Sequence, residues 1–182
     1  VRTFTDGALS AVTWEDGGSV VTALTQQVDA ATGLVEARTD ANGDTTDFTY
    51  DAVGRLTLIE YPLDNDASAS YDLTATPPTV TESRSGLYGS ETTTTYDGLG
   101  RVVQVETDLS ASMTSVVEME MDGLGQVTRM YLPYEGGVGA ASSYTETTYD
   151  VVGRVTEIDR YDAAAAATYS ASNTWLGNTV AR

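Results

Sequence analysis

The sequence predicts an all-β chain of antiparallel hairpin repeats, and three observations carry that prediction. Threonine, valine and tyrosine are abundant while the 182 residues include only 2 Phe and 4 Pro, a balance that favours strands over helices. Turn signals recur about every 10 to 14 residues, the spacing of short antiparallel strands. One frame returns along the chain: Tyr or Met, Asp, two variable residues, Gly, Arg or Gln, then an aliphatic residue and an alternating run. No long segment has a 3.6-residue period.

Taken in order, the chain opens on two-residue turn signals at Asp6-Gly7 and Asp16-Gly17. Weak copies of the frame follow at Asp29 to Gly33 and Asp40 to Gly43, before Asp51 to Gly54, the three aspartates standing 11 residues apart. The clearest repeats span 28–62, 92–107, 117–133 and 146–161. Between and after them, "LDND" (63–66), "TPP" (76–78), "RSG" (84–86), "PYEGG" (133–137) and "YDAAAAA" (161–167) mark further turns. The alanine run reads as a small-residue loop rather than a helical turn.

Each strong copy reads as a hairpin whose residues have structural work. They are Tyr50, Asp51, Gly54 and Arg55; Tyr96, Asp97, Gly100 and Arg101; Met121, Asp122, Gly125 and Gln126; and Tyr149, Asp150, Gly153 and Arg154. The aspartate carboxylate is placed to accept from the turn's own amides. The glycine falls where a type I turn is followed by a left-handed residue, which only glycine adopts cheaply. This register sets Tyr96 opposite Arg101, Thr95 opposite Val102 and Thr94 opposite Val103. The guanidinium would then lie on the phenol ring, a pair contributing about 0.5–1 kcal/mol. In the third copy Met121 and Gln126 replace aromatic and cation together, as that contact would require. Apolar and polar residues mix on both faces of runs such as Leu56–Tyr61 and Val102–Glu106, so a broad twisted sheet fits better than a two-layer core.

Composition excludes several classes of function. With 27 acids, 9 bases and a net charge of −18, the surface repels phosphate backbones and anionic membranes. All nine bases are arginine. The acidity reads as solubility or adaptation to a salty or extracellular setting, with a polyanionic interior or a cation-binding surface as the alternatives. Cysteine and histidine are absent, which removes disulfides, thiolate nucleophiles and the commonest general base and metal ligand. No stretch approaches the roughly 18 apolar residues of a membrane helix, and the amino terminus has no basic-then-apolar region.

Candidate chemistry is sparse. Asp51, Asp97, Asp122 and Asp150 could supply paired carboxylates for glycoside hydrolysis, but each occupies the same turn position, where self-capping accounts for it. The "DGLG" and "DAVG" glycines lack the lysine and the strand-loop-helix context of a phosphate loop. Asp64 and Asp66 in "DNDAS" start like a calcium loop, yet Ala69 and Ala75 stand where glycine and glutamate belong. Tyr131, Tyr134, Tyr144 and Tyr149 are candidates for a sugar-stacking platform, and the threonine tracts 92–95 and 145–148 for O-linked sugars. There is no Asn-x-Ser/Thr acceptor. No catalytic residue and no cofactor is expected.

The Tyr-Asp-x-x-Gly-Arg frame, clearest in "TGLVEARTDANGDTTDFTYDAVGRLTLIEYP" (32–62) and recurring around Asp97, Asp122 and Asp150, resembles the RHS or YD-repeat family. The resemblance implies hairpins joined into one long sheet that curves or coils into a hollow shell around a toxin in bacterial toxin complexes, with a similar barrel in the teneurins. It implies a non-enzymatic structural segment of a secreted bacterial protein. Its partners would be the rest of its own chain or identical subunits, with toxin cargo or cell-surface glycans beyond those. The family's closing core, rich in Asp-Pro-x-Gly, has no counterpart in these residues, nor has a toxin domain or self-cleavage motif. The ending "TWLGNTVAR" looks like a copy interrupted midway, with Thr174 where the family places Asp. Residues 1–182 are therefore expected to be a single YD-repeat segment of a longer chain. An extracellular fibre or adhesin, its sheet continued edge to edge between subunits, is the alternative. A glycan-binding module is the weaker third.

Overall fold

A computed structural model describes residues 1–5, 7–87, 89–110, 113–135, 143–176 and 179–181. The turn residue Asp6, part of "PYEGG" and part of the C-terminal copy lie outside them. The described residues form strands and turns with no helix. In chain order the strands are β1 (Arg2–Thr5), β2 (Ala8–Asp16), β3 (Ser19–Val28), β4 (Val35–Asp40), β5 (Thr45–Tyr50) and β6 (Leu56–Glu60). Next come β7 (Ala67–Asp72), β8 (Thr79–Arg84), β9 (Ser90–Tyr96), β10 (Val102–Ser110), β11 (Met113–Met121) and β12 (Val127–Tyr131). The last are β13 (Tyr134–Glu135), β14 (Tyr144–Tyr149), β15 (Val155–Tyr161), β16 (Ala167–Ser172), β17 (Thr174–Leu176) and β18 (Thr179–Ala181).

Strand order in the sheet follows strand order in the chain, from β1 to β12 and then β14 to β16, with β13 paired to β11 and β17–β18 forming a separate hairpin. The assigned pairings are antiparallel. The chain divides into two compact units, one of Val1–Ser70 with Glu82–Gly89 and the other of Tyr71–Thr81 with Ser90–Arg182.

Some strands alternate part-buried and exposed positions, while others, such as β6 and β10, are part-buried at successive residues. In β4 and β5 the alternation is strict. Among the described residues Val116 is the one fully buried apolar side chain and Thr95 the one buried polar side chain. In the second unit, β11 passes Val116 between β10, where it opposes Glu106, and the short β13, where it opposes Tyr134. Little apolar surface is enclosed among the described residues, and the strands are held by their ladders and by cross-strand side-chain pairs. One such row is a tyrosine ladder in register: Tyr131 opposes Tyr144, which opposes Tyr161. The Tyr144 and Tyr161 rings stack at 4.7 Å, and Tyr131 meets Tyr144 tilted at 5.6 Å. The Arg129 guanidinium lies 4.8 Å from the Tyr144 centroid, while also pairing with Glu120 and Glu146.

Candidate functional site: the repeated aspartate turn

The Asp-x-x-Gly frame closes the same way in every strong copy. In the first unit the Asp51 amide donates to the Arg55 carbonyl at 2.8 Å, and the Gly54 amide to the Asp51 carbonyl at 3.0 Å. Asp51 Oδ1 accepts from the amides of Val53 and Arg55 at 3.0 and 2.9 Å, and Oδ2 accepts from Arg55 Nε at 2.6 Å. In the second unit Asp97 Oδ1 accepts from Leu99 and Arg101, Asp122 Oδ1 from Leu124 and Gln126, and Asp150 Oδ1 from Val152 and Arg154. The glycine is left-handed in all four, at φ 84°, 77°, 84° and 84° for Gly54, Gly100, Gly125 and Gly153.

The cross-strand register differs from the one read off the sequence. Tyr96 opposes Val102, Thr95 opposes Gln104 and Thr94 opposes Val105. Asp97 and Arg101 themselves close the turn, and a bulge at Val103 then shifts the ladder by one. The arginine consequently folds onto its own aspartate, not onto Tyr96. Arg101 reaches Asp97 Oδ2 at 2.6 Å, and Arg154 reaches Asp150 Oδ2 at 2.7 Å. A charge-assisted contact between guanidinium and carboxylate outcompetes a phenol face at this exposure. The paired change to Met121 and Gln126 therefore does not report a contact within one hairpin.

Copies touch their successors instead. Arg101 Nη1 donates to the Asp122 carbonyl at 3.1 Å. Leu34 lies 3.7 Å from where a Cβ on Gly54 would stand, Arg101 3.4 Å from that of Gly125, and Gln126 2.8 Å from that of Gly153. Leu34, Arg101 and Gln126, each the residue after a turn glycine, thus sit under the glycine of a later turn. The aromatic position reaches backward: Tyr50 Oη donates to the Val35 carbonyl at 3.0 Å and Tyr149 Oη to the Val127 carbonyl at 2.9 Å. Each acceptor is the first residue of a strand two positions after a turn glycine.

Electrostatics follow the hydrogen bonds. The carboxyl groups of Asp51, Asp97 and Asp150 are held below the usual aspartate range, chiefly by the amide of the following arginine and then by its guanidinium, against partial desolvation. A carboxylate with a depressed native pKa adds stability above its unfolded pKa and loses it as pH falls through the native one. The thermal midpoint should therefore stay level from neutral pH to about 5 and fall below about 4. Asp97→Asn should flatten part of that fall in a scanning-calorimetry pH series.

Residues 24–65 match the family described as RHS Repeat. Over that stretch the chain is similar to an RHS repeat. The matched stretch runs from within β3 to the loop after β6 and includes the turns at Asp29, Asp40 and Asp51. No curated protein matches the chain. Among solved structures, the pore form of the Photorhabdus luminescens Tc holotoxin is similar at 16% identity and a TM-score of 0.46, over 85% of this chain and 10% of that one. A complex of TcdB2, TccC3 and Cdc42 is similar at 13% identity and a TM-score of 0.31, over 94% of this chain and 13% of that one. The chain spans about a tenth of the length of these neighbours.

Outside the matched RHS repeat, the structure finds copies that the sequence reading passed over. Tyr71-Asp72 is one: Asp72 Oδ1 accepts from the Thr74 amide and hydroxyl and from the Ala75 amide. The dipeptide was visible, but the expected glycine is replaced by "TATPP". Trp175 takes the aromatic position of the last copy, donating Nε1 to the Val155 carbonyl at 2.8 Å while Arg154 lies 5.1 Å from its ring centroid. A bulge threonine was also missed. Thr57, Thr128 and Thr156, each three residues after the turn glycine, donate to the carbonyls of Thr49, Glu120 and Thr148. Aligning the copies on their glycines exposes it. Met121 occupies the aromatic position without a donor, so Met121→Tyr should gain about 1 kcal/mol by reaching the Val102 carbonyl, seen as a raised urea midpoint.

The remaining candidates are placed apart. Asp66 Oδ1 accepts from the Tyr61 amide, Asp64 has φ 44°, and among the described residues no three acidic groups converge as a metal site. Of the proposed sugar platform, Tyr131 and Tyr144 meet, but the next ring in the row is Tyr161, and Tyr149 is committed to Val127. Burial, followed by Glu146, raises the Tyr161 pKa.

Proposed function

We propose that the chain is a non-enzymatic wall segment of a secreted bacterial RHS-repeat protein. The observation that carries this reading is a sheet with one fully buried apolar side chain among its described residues. The self-closing turns support an architectural role, because their repeating residues are already used in holding the hairpins together. The four turn aspartates have their Oδ1 atoms occupied by amides, which speaks against a catalytic pair. The family resemblance supports a shell around a toxin, and the net charge of −18 suits a basic cargo. Residues 1–182 act as one repeat segment in this reading, with the sixteen frame residues as its structural determinants.

A second reading is a fibre or adhesin. Among the described residues β1 pairs only with β2 and β16 only with β15, so each presents a strand edge that another subunit could extend. Electron microscopy of particles expressed from the full reading frame separates the two. Closed hollow particles are expected, and filaments would overturn the shell in favour of the fibre.

A further inference from the structure

We propose that Tyr144 and Tyr161 form a site of oxidative coupling, at which hydrogen peroxide and a haem peroxidase join the two rings by a carbon–carbon bond. The residues oppose each other in the β14–β15 ladder. Their rings stack with centroids 4.7 Å apart and planes 16° apart. Coupling requires the ring carbons beside the two hydroxyls to meet. A cross-strand pair held in register supplies that proximity before any radical forms.

A phenol gives up its proton as it is oxidised, so a neighbouring base favours the step. The row has carboxylates at hand. Tyr131 Oη donates to Glu120 Oε1 at 3.0 Å, and the Tyr161 hydroxyl lies within hydrogen-bonding reach of Glu146. Arg129 pairs with both glutamates and lies over the Tyr144 ring, which holds bases and rings on one face of the sheet. Tyr50 and Tyr149 instead donate to the main-chain carbonyls of Val35 and Val127, which are far weaker bases. Tyr131, at 5.6 Å from Tyr144, extends the row, so an electron lost from the stacked pair can be drawn through it. All three rings are part-exposed and within reach of an external oxidant.

The step balances without a metal or cofactor in the chain. Each phenol loses one electron and its hydroxyl proton. The radicals join through ring carbons next to oxygen, and the hydrogens on those carbons restore the two hydroxyls. Peroxide takes the two electrons and two protons and leaves as two waters. The new bond closes the β14–β15 hairpin at the end opposite its Asp150 turn. It would constrain the unfolded chain as a disulfide does, in a sequence that has no cysteine to form one. This coupling goes beyond the wall reading and does not depend on it.

Brief treatment of the folded chain with peroxidase and hydrogen peroxide, followed by tryptic mapping and dityrosine fluorescence, tests it. The dominant product should join residues 130–154 to residues 161–182 and lack two hydrogens. Its fragment ions should place the link at Tyr144 and Tyr161. Tyr144→Phe and Tyr161→Phe, which keep the stacked rings, should each abolish that product, and the linked chain should unfold at a higher urea concentration. In the urea-unfolded chain the links should scatter among the tyrosines. Dominant links elsewhere, links only between chains, the same pattern in the unfolded chain, or an unchanged yield in either variant would each overturn the proposal.

Discussion

Gly89→Ala should destabilise the first unit by about 2–3 kcal/mol, in the upper range for adding one methyl group. A Cβ at Gly89 would stand 2.9 Å from the Arg84 carbonyl oxygen and 3.3 Å from that of Gly86. Both are main-chain atoms, and the Gly89 amide already donates to the Gly86 carbonyl at 3.1 Å, so relief requires moving the turn itself. Gly100→Ala is the natural control. Its site is open, with nothing within 4 Å, and only the left-handed φ of 77° resists the substitution. That cost is about 1 kcal/mol. Urea denaturation at constant slope should rank the two variants in this order. Equal losses would mean that close approach at Gly89 contributes nothing beyond backbone conformation.

Ala165→Gly should have the opposite sign and raise stability by about 0.5–1 kcal/mol. The turn at Asp162 closes with the repeat's own bonds: the Asp162 amide donates to the Ala166 carbonyl, the Ala165 amide to the Asp162 carbonyl, and Asp162 Oδ1 accepts from the Ala164 and Ala166 amides. Ala165 therefore occupies the glycine position, and it does so at φ 59°. Replacing it relieves a Cβ clash in the folded state, less the extra freedom that glycine gives the unfolded chain. A lowered urea midpoint for Ala165→Gly would show that the unfolded-state term dominates.

Asp162 also shows how far the chain's organisation was legible. Turn chemistry is local, so Asp at the first position and glycine at the fourth were sufficient to place the hairpins at Asp51, Asp97, Asp122 and Asp150. The composition of the alanine run marks a loop, as observed, and "YDAAAA" is in addition the frame with its glycine lost. The partner of Arg101 was misassigned. Its guanidinium goes to the carboxylate of its own turn and the bulge at Val103 lies in the same hairpin, while the contact to Asp122 depends on where the neighbouring hairpin lies, which no single copy encodes. Offsets shared between copies, such as the threonine three residues past the glycine, carry that information and become readable only in alignment. The place of Tyr161 in the tyrosine row was not legible, because it depends on the β14–β15 register.

The agreement between strand order and chain order has a kinetic consequence. Each strand needs only its predecessor to be in place, so loop-closure entropy is met in small steps and no distant segment must be awaited. Such a sheet can be laid down as the chain emerges, each hairpin serving as the template for the next. Damage at one turn should open the ladder locally and leave earlier hairpins zipped, as in other linear repeat proteins. Hydrogen exchange should then show protection appearing in sequence from the amino-terminal hairpins onward during synthesis.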